Sequence, residues 1–541
     1  MQFIFFMSSN SSVEVPKDGL AGLRQNFLSE ISSGFIVSLL ALPLSLGIAK
    51  ASDFPNPMYG VLSAIIGGIL VSIFAGSRLT IKGPAAGLIV ICAGSIAAFG
   101  GGEMGWKMTL GAIVVASGLQ ILFGLLKLGK LSDFFPLSAV HGMLAAIGLI
   151  IISKQLHILL GVNPLNEHGK PMVEPLELLA ALPKTFASIP DHLNVVKVGL
   201  VSLALVLGIP MLPFKWLKKI PLPVIILIIA IPFAASLGLK GTKGALLKFD
   251  KPFTDLVHFN ASFAGIGQMG TFIQYVILFA IIGSLESLLT AKAIDLLDPF
   301  KRKSDFNKDL IAVGSGNVLS GLLGGLPMIS EVARSSSNVS NGAKTRWANF
   351  FHGLFLLLFM LLAVPVLQLI PTAALSALLI GVGIKLAHPK EFKHAYQIGK
   401  EQLLVFVVTV VFTLGVDLLV GIAAGILTEF VVNLVNGKPL KRAFKANVEV
   451  VDLNENTMLI RLNEAAVFSN FMGIKKQLYA IEGGKSIQID CSNCNLLDHS
   501  AMENIHLFEH DYAHTGGSVE LIGLNQHKSL SNHNLSARKL K

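Results

Sequence analysis

The 541-residue chain is predicted to fold as a polytopic α-helical membrane domain followed by a small soluble α/β domain. Three observations carry that prediction. Residues of the AVILMFWYC set make up 52% of the chain and charged residues only 14%, and the mean hydropathy is +0.67. A soluble globular chain carries roughly 25% charged residues. Apolar stretches of about spanning length recur from residue 31 to residue 436. Beyond about residue 440 the composition turns soluble-like. Positions 441–541 hold 11 basic and 11 acidic residues, whereas the first 440 hold 32 and 22 and so carry the whole formal charge of +10.

These features exclude a cytosolic enzyme, a secreted disulfide scaffold and a disordered chain. The three cysteines, Cys92, Cys491 and Cys494, make no disulfide framework. The basic excess is what cytoplasmic loops of a membrane protein carry, so no nucleic acid is implied as a partner. The apolar start at 1–7 lacks a basic flank and a cleavage site and is not read as a signal peptide; Met7 is a candidate start.

Fourteen apolar segments are expected, near 31–49, 58–76, 84–100, 108–127, 136–158, 195–213, 220–238, 271–294, 308–323, 329–341, 347–369, 371–386, 402–415 and 418–436. The expected division is a cytoplasmic N-terminal segment at 1–30, a transmembrane domain at 31–437 and a cytoplasmic domain with its tail at 438–541. An even number of spans puts both termini on one side. Arg24, Lys127 and Lys130, and the basic runs at 215–219, 301–308, 390–400 and 438–442 then share that side, which the positive-inside rule makes cytoplasmic. The basic loop at 240–251 falls outside and departs from the rule.

Segments 3 and 10 are short and broken by Gly and Pro. Segment 3 opens with Thr80-Ile-Lys-Gly-Pro-Ala-Ala-Gly87, and segment 10 with Gly324-Gly-Leu-Pro-Met-Ile-Ser-Glu331. Irregular backbone at membrane depth is tolerated only where it is buried or lines a cavity. Such a pair in corresponding places of two halves points to a transport site. Seven segments per half is odd, so the halves are expected to be inverted, with the two half-helices pointing their N-termini at each other. Free N–H groups and the positive helix ends there attract an anion without a basic side chain. Packing kinks are the alternative reading of these breaks.

The run Ile282-Gly-Ser-Leu-Glu-Ser-Leu-Leu-Thr-Ala-Lys-Ala-Ile-Asp295, followed by Gly324-Gly-Leu-Pro and Ala333-Arg-Ser335, resembles the SulP anion transporters. Ala41-Leu-Pro-Leu-Ser-Leu-Gly-Ile-Ala49 resembles that family's first helix, and the C-terminal region its STAS domain. The resemblance implies a 7+7 inverted repeat, an elevator-like motion of a core against a gate, a homodimer, and transport of anions such as sulfate or bicarbonate by symport or exchange.

Glu286 lies mid-span, where an ionisable group is costly and by default functional. Thr290 lies one turn on, on the same helical face. Carboxylate and hydroxyl together suit Na+, and a lone carboxylate suits H+; the resemblance ties this position to cation coupling beside the substrate. Ser330 is expected to cap half-helix 10 and to offer its hydroxyl to an anion. Arg334 resembles the family's arginine near the substrate, with an i,i+3 pair to Glu331 as the alternative. Glu331 replaces the small residue expected there, and its charge repels an anion unless it is protonated, paired or turned away. Ala85 and Ala86 stand where many members have Thr, which leaves backbone N–H groups to bind substrate from that side. Ile329 completes the candidate set.

After residue 445 the pattern predicts strands at 448–451, 457–462, 486–490 and 518–524 and helices at 468–482 and 500–514. Ser500 follows a strand and opens a helix, as does the phosphorylated Ser of related soluble STAS proteins; a plain N-cap is the other reading. Cys491-Ser-Asn-Cys494 is a lone C-x-x-C, weak for zinc. Gly124 to Lys130 has the spacing of a phosphate loop, but Leu131 replaces the Ser/Thr. No nucleophile–base pair, metal cluster or bound cofactor is implied. The expected function is a secondary transporter of a small inorganic anion, sulfate or bicarbonate, driven by Na+ or H+. The expected location is the cytoplasmic (inner) membrane, with lipid around the chain and a cytoplasmic regulator as a candidate partner of the STAS domain. A membrane-embedded anion sensor signalling through the STAS domain and a passive anion channel are the alternatives.

Overall fold

The computed structural model describes residues 15–129, 135–165, 172, 175–214, 220–249, 252–300, 302–416, 418–437, 444–513 and 515–541. The apolar start at 1–7, Lys130, Leu131, Lys251, Lys301 and the basic runs at 215–219 and 438–442 lie outside the described residues.

A helix lies over each of the fourteen expected apolar segments. In chain order these begin with α1 (Gly19–Ala51) and α2 (Met58–Phe74), then the short strand β1 (Ile81–Pro84), α3 (Ala86–Ala98) and α4 (Gly102–Leu125). Next come α5 (Leu137–Leu159), α6 (Pro175–Ala187), α7 (Leu193–Gly208), α8 (Leu222–Ser236), α9 (Met269–Leu297) and α10 (Phe306–Leu323). A second short strand, β2 (Met328–Glu331), leads into α11 (Val332–Ser340), α12 (Trp347–Leu362) and α13 (Thr372–Leu386). The membrane domain closes with α14 (Pro389–Ile398), α15 (Lys400–Gly415) and α16 (Leu418–Val435). Helices α6 and α14 fall between the expected apolar segments, since neither is a spanning run.

Local chemistry sets several of these ends. Asp305 caps α10 by accepting from the N–H groups of Asn307 (3.1 Å) and Lys308 (3.0 Å). Gly324, at φ 97°, ends the same helix in the left-handed region that favours glycine. Asn26 leaves the helical region (φ −125°, ψ 19°) and separates the polar first turns of α1 from its spanning part.

The helices pack as two bundles. The first contains α1–α4 and α9–α12, and the second α5–α8, α13, α15 and α16. The bundles meet along α1 against α13 and α8, and along α3 against α5. Small residues let backbones approach closely, as membrane packing requires. A methyl group on Gly68 of α2 or Gly353 of α12 would strike the other's backbone.

Among the described residues, the C-terminal domain is a seven-stranded sheet with two α-helices. Strands β3 (Asn447–Asn454) and β4 (Thr457–Ala466), helix α17 (Phe471–Leu478), strands β5 (Ser486–Asp490) and β6 (Cys494–Leu497), and helix α18 (His499–Ala513) come first. Strands β7 (Ser518–Ile522), β8 (His527–Ser529) and β9 (Arg538–Leu540) complete it, in the order β7-β5-β4-β6-β9-β8 with β3 beside β4. Strands β6, β8 and β9 lie outside the four predicted from the pattern. Both thiols of the C-x-x-C are buried in this domain's core. Burial pushes the Cys494 thiol up to about 12 and the Cys491 thiol up as well, which disfavours thiolate ligands.

The sheet domain docks on the second bundle. Asp498, fully buried, accepts from Asn433 Nδ2 of α16 (3.0 Å), Phe468 N (2.7 Å) and Ala501 N (2.8 Å). It is therefore Asp498, not Ser500, that caps α18. The Ser500 hydroxyl is buried and accepts from Leu137 N at the start of α5 (3.4 Å), which corrects the expected capping role. Ser531 donates to the carbonyls of Gln397 (3.1 Å) and Ile398 (2.6 Å) at the end of α14. A looser contact reaches the first bundle: exposed Lys303 pairs with Asp511 (3.2 Å) and lies 5.1 Å from the ring centre of Tyr479.

Candidate functional site

The two Gly/Pro breaks form a β-ribbon in the interior of the first bundle. Strands β1 and β2 pair antiparallel, with Ile81 opposite Glu331, Lys82 opposite Ser330, Gly83 opposite Ile329 and Pro84 opposite Met328. Each strand runs directly into a half-helix, β1 into α3 and β2 into α11. The strand ends that lead into the two helices, Pro84 and Glu331, lie three residue steps of about 3.3 Å apart, about 10 Å along the ribbon. Two helix N-termini thus face each other inside the protein, each with N–H groups that no carbonyl of its own helix can satisfy and a positive partial charge.

A carboxylate of the chain stands at each start. Glu286 of α9, 7% exposed, reaches the first turn of α3 because Gly87 there has no side chain; a Cβ at that position would collide with Glu286 Oε1. This Oε1 is buried with no hydrogen-bond partner. Glu331 caps α11, its Oε2 accepting from Arg334 N at 2.8 Å. Ser330 is instead a strand residue, fully buried and bound by Lys82 Nζ (2.8 Å) and Asp309 Oδ2 (3.3 Å). The expected Ser330 cap is corrected by one residue, and its hydroxyl is already engaged within the protein.

Arg334 is fully buried, and none of its three side-chain nitrogens has a hydrogen-bond partner. Its guanidinium lies against Gly83 of β1, and its Nε stands 3.9 Å from Glu331 Oε2, a long form of the i,i+3 pair. His352 of α12, also fully buried with neither ring nitrogen partnered, lies within electrostatic reach of Arg334. The apolar pattern gives no sign of His352, which lies within a run of Phe and Leu. Thr290, Ile329 and Ala85 are buried around the same site, and Ala86 is partly buried.

The contrast with Glu30 shows what is unusual about Glu286. Glu30 is also fully buried, but its Oε1 accepts from Lys344 N (2.9 Å) and Thr345 N (3.1 Å) and its Oε2 from Ala348 N (2.9 Å), capping α12. A buried carboxylate satisfied three times over is structural. One left without a partner at a helix N-terminus carries a cost that points to a function.

On the side of the sheet domain a cavity of about 1010 Å³ opens between the bundles. Ile36 and Leu40 of α1, Pro210 and Leu222 of the second bundle, and Ser337 and Ser340 of α11 line it. On the opposite side the bundles are joined. Lys154 Nζ of α5 donates to Asp53 Oδ2 (2.7 Å) and to the carbonyl of Ala51 at the end of α1 (3.0 Å).

Apposed half-helices inside one of two helical bundles, with a crevice on one side, are the arrangement of a membrane transporter, and their N-termini suit an anion. The chain belongs to the sulfate permease family, whose model matches residues 27–409. It is a transporter, not an enzyme. It is 27% identical over 484 residues to the putative sulfate transporter YvdB of Bacillus subtilis (strain 168), covering 88% of this chain and 83% of that protein. It is 26% identical over 450 residues to the bicarbonate transporter BicA of Picosynechococcus sp., covering 80% and 75%. Among solved structures, the transmembrane domain of a cyanobacterium bicarbonate transporter BicA matches with a TM-score of 0.64 at 24% identity, over 74% of this chain and 98% of that one. The overall structure of SLC26A9 matches with a TM-score of 0.67 at 14% identity, over 93% and 85%. The small C-terminal sheet domain is consistent with STAS.

Proposed function

We propose that the protein is a secondary active transporter of a small inorganic anion, sulfate or bicarbonate, that moves together with H+ or Na+. The observation that carries this reading is the unpartnered Glu286 carboxyl held at the N-terminus of α3. With Glu286 and Glu331 both ionised, two negative charges face one guanidinium, and an incoming anion is repelled. A proton on Glu286, or Na+ beside it and Thr290, removes that repulsion, so anion and cation bind together. The anion then sits against backbone N–H groups of α3 near Ala85 and Ala86 and those of α11 beyond Ile329, with Arg334 behind it.

The test is uptake of labelled sulfate and bicarbonate by proteoliposomes under separately imposed Na+ and pH gradients. Gradient-driven accumulation of either anion is expected. Saturable binding without flux would instead establish a sensor, and flux without a coupling cation a channel.

In this reading the first bundle carries the anion and slides against the second. The protein is a dimer in the cytoplasmic membrane, with residues 438–541 and both termini on the cytoplasmic side. Arg78, Lys303, Lys308 and Arg346, all on the sheet-domain side, support that orientation. The Asp53–Lys154 pair then closes the outer mouth while the crevice faces inward. Its side chains are 25% and 8% exposed, so it is worth on the order of 1–2 kcal/mol, between an exposed and a buried pair. Lys154→Met is expected to shift the population outward by about tenfold. The shift is read as slower thiol labelling of Ser337→Cys in the crevice; unchanged labelling would show that the pair does not hold this state.

A further inference from the structure

Behind the ribbon, Lys82 projects from β1 into a cage of oxygen atoms. Its Nζ lies 2.7 Å from Ser77 Oγ, 3.0 Å from each Asp309 oxygen and 2.8 Å from Ser330 Oγ, and it also contacts Thr80 Oγ1. Lys82 is completely buried and Asp309 nearly so. An ammonium has three N–H donors, whereas five oxygens from four residues surround this one. The arrangement is that of a cation's coordination shell rather than of matched hydrogen bonds. Asp309 is oriented for it, since its Oδ1 also accepts from Gly76 N (3.1 Å), Ser77 N (3.1 Å) and Ser77 Oγ (2.7 Å).

The cage fastens together everything that places the two half-helices. Lys82 on β1 and Ser330 on β2 are direct partners in the ribbon. Asp309 belongs to α10, and Ser287 of α9, next to Glu286, donates to Ser330 Oγ (3.2 Å) and accepts from Ser330 N (3.1 Å). Apart from the closer Thr80 contact, the spacings of 2.7–3.0 Å are wider than the 2.3–2.6 Å that Ca2+ prefers, and one carboxylate suits a single positive charge.

We propose that Lys82 is a tethered cation: its ammonium fills a monovalent-cation site of ammonium size that holds β1 to β2 and so positions the two half-helix N-termini. Removing the side chain leaves that site open to a free cation. Lys82 is a positioning residue, acting through Ser330 and Asp309. Only the transport consequence rests on the function proposed above.

The test uses the full-length purified protein with two readouts. The first is thermal unfolding in ammonium, potassium, sodium or choline chloride at equal ionic strength. Lys82→Ala is expected to melt below wild type, and ammonium is expected to raise its midpoint saturably, as a ligand of the folded state does. Wild type and Lys82→Ala/Asp309→Asn are expected not to respond to ammonium. If no small cation stabilises Lys82→Ala beyond its effect on wild type, the tethered-cation site is wrong. If Lys82→Ala is recovered folded only when ammonium is present throughout purification, the site is supported; recovery in neither salt overturns it. The second readout is anion uptake, expected to fall at least about tenfold in Lys82→Ala and to recover with ammonium. Stabilisation without recovery, in a preparation whose wild type transports, overturns the positioning role. A wild type that moves no anion defeats the transport reading alone, because the melting readout needs no anion.

Discussion

Gly87→Ala is expected to remove coupled anion uptake while leaving the protein folded. A Cβ at residue 87 meets Glu286 Oε1 in collision, with Glu286 Cδ and Oε2 each 2.6 Å away. What must give is the end of a flexible side chain rather than backbone, so the Glu286 carboxyl swings away from the α3 start at small cost. Replacing Gly by Ala near a helix start favours the helix slightly, so the thermal midpoint stays level or rises. A charged group misplaced by about an ångström costs on the order of 100-fold in a positioned reaction, and coupled uptake is expected to drop by that order. Gly118→Ala on α4, where a new Cβ meets nothing within 4 Å, is the matched control. Coupled uptake by Gly87→Ala at the Gly118→Ala level would remove Glu286 from the α3 site.

The second large effect is expected at Arg334, with stability and function moving in opposite directions. Its guanidinium is fully buried and has no hydrogen-bond partner, and the Glu331 carboxylate is 3.9 Å from Nε. A buried polar group left without a hydrogen-bond partner costs on the order of 1–3 kcal/mol, and Glu331, whose side chain is 21% exposed and accepts from the backbone N–H of residue 334, keeps its solvation and its hydrogen bond when the guanidinium is removed. Arg334→Met is therefore expected to melt higher than wild type. The same change removes the positive side chain from behind the anion site and leaves Glu331 facing it, so anion affinity is expected to fall on the order of 10- to 100-fold. Thermal unfolding and anion binding to the purified variant check both. A variant that melts lower and binds the anion normally would show that Arg334 only supports the fold.

The half-helices are legible in the sequence because Gly and Pro interrupt apolar runs of otherwise spanning length at Pro84 and Pro327. Glu286 is legible because a lone carboxylate in the middle of such a run is costly and marks a functional group by default. The ribbon is not. Ile81–Pro84 and Met328–Glu331 are four residues each, lack the alternation that marks a strand, and pair across more than 200 positions of chain. That pairing moves the cap of α11 from Ser330 to Glu331, a shift of one residue within the uncertainty of any helix boundary. Lys82 carries a fainter signal: a lysine inside a short interrupted span requires a buried partner, and Asp309 sits at the start of the apolar segment just before the second break. In the sheet domain, β3, β4, β5 and β7 alternate visibly. Strands β8 and β9 are three residues each and are held by pairing rather than by propensity.

The most direct measurement compares accumulation with exchange in proteoliposomes of wild type and Glu286→Gln. Glutamine keeps the size of the side chain but carries no titratable charge and binds no coupling proton. Wild type is expected to accumulate labelled anion against its gradient when a Na+ or pH gradient is imposed. Glu286→Gln is expected to lose that accumulation while still exchanging labelled for unlabelled anion, because the paired half-helix N-termini remain. Accumulation by Glu286→Gln equal to wild type, driven by the same gradient, would contradict the assignment of cation coupling to Glu286.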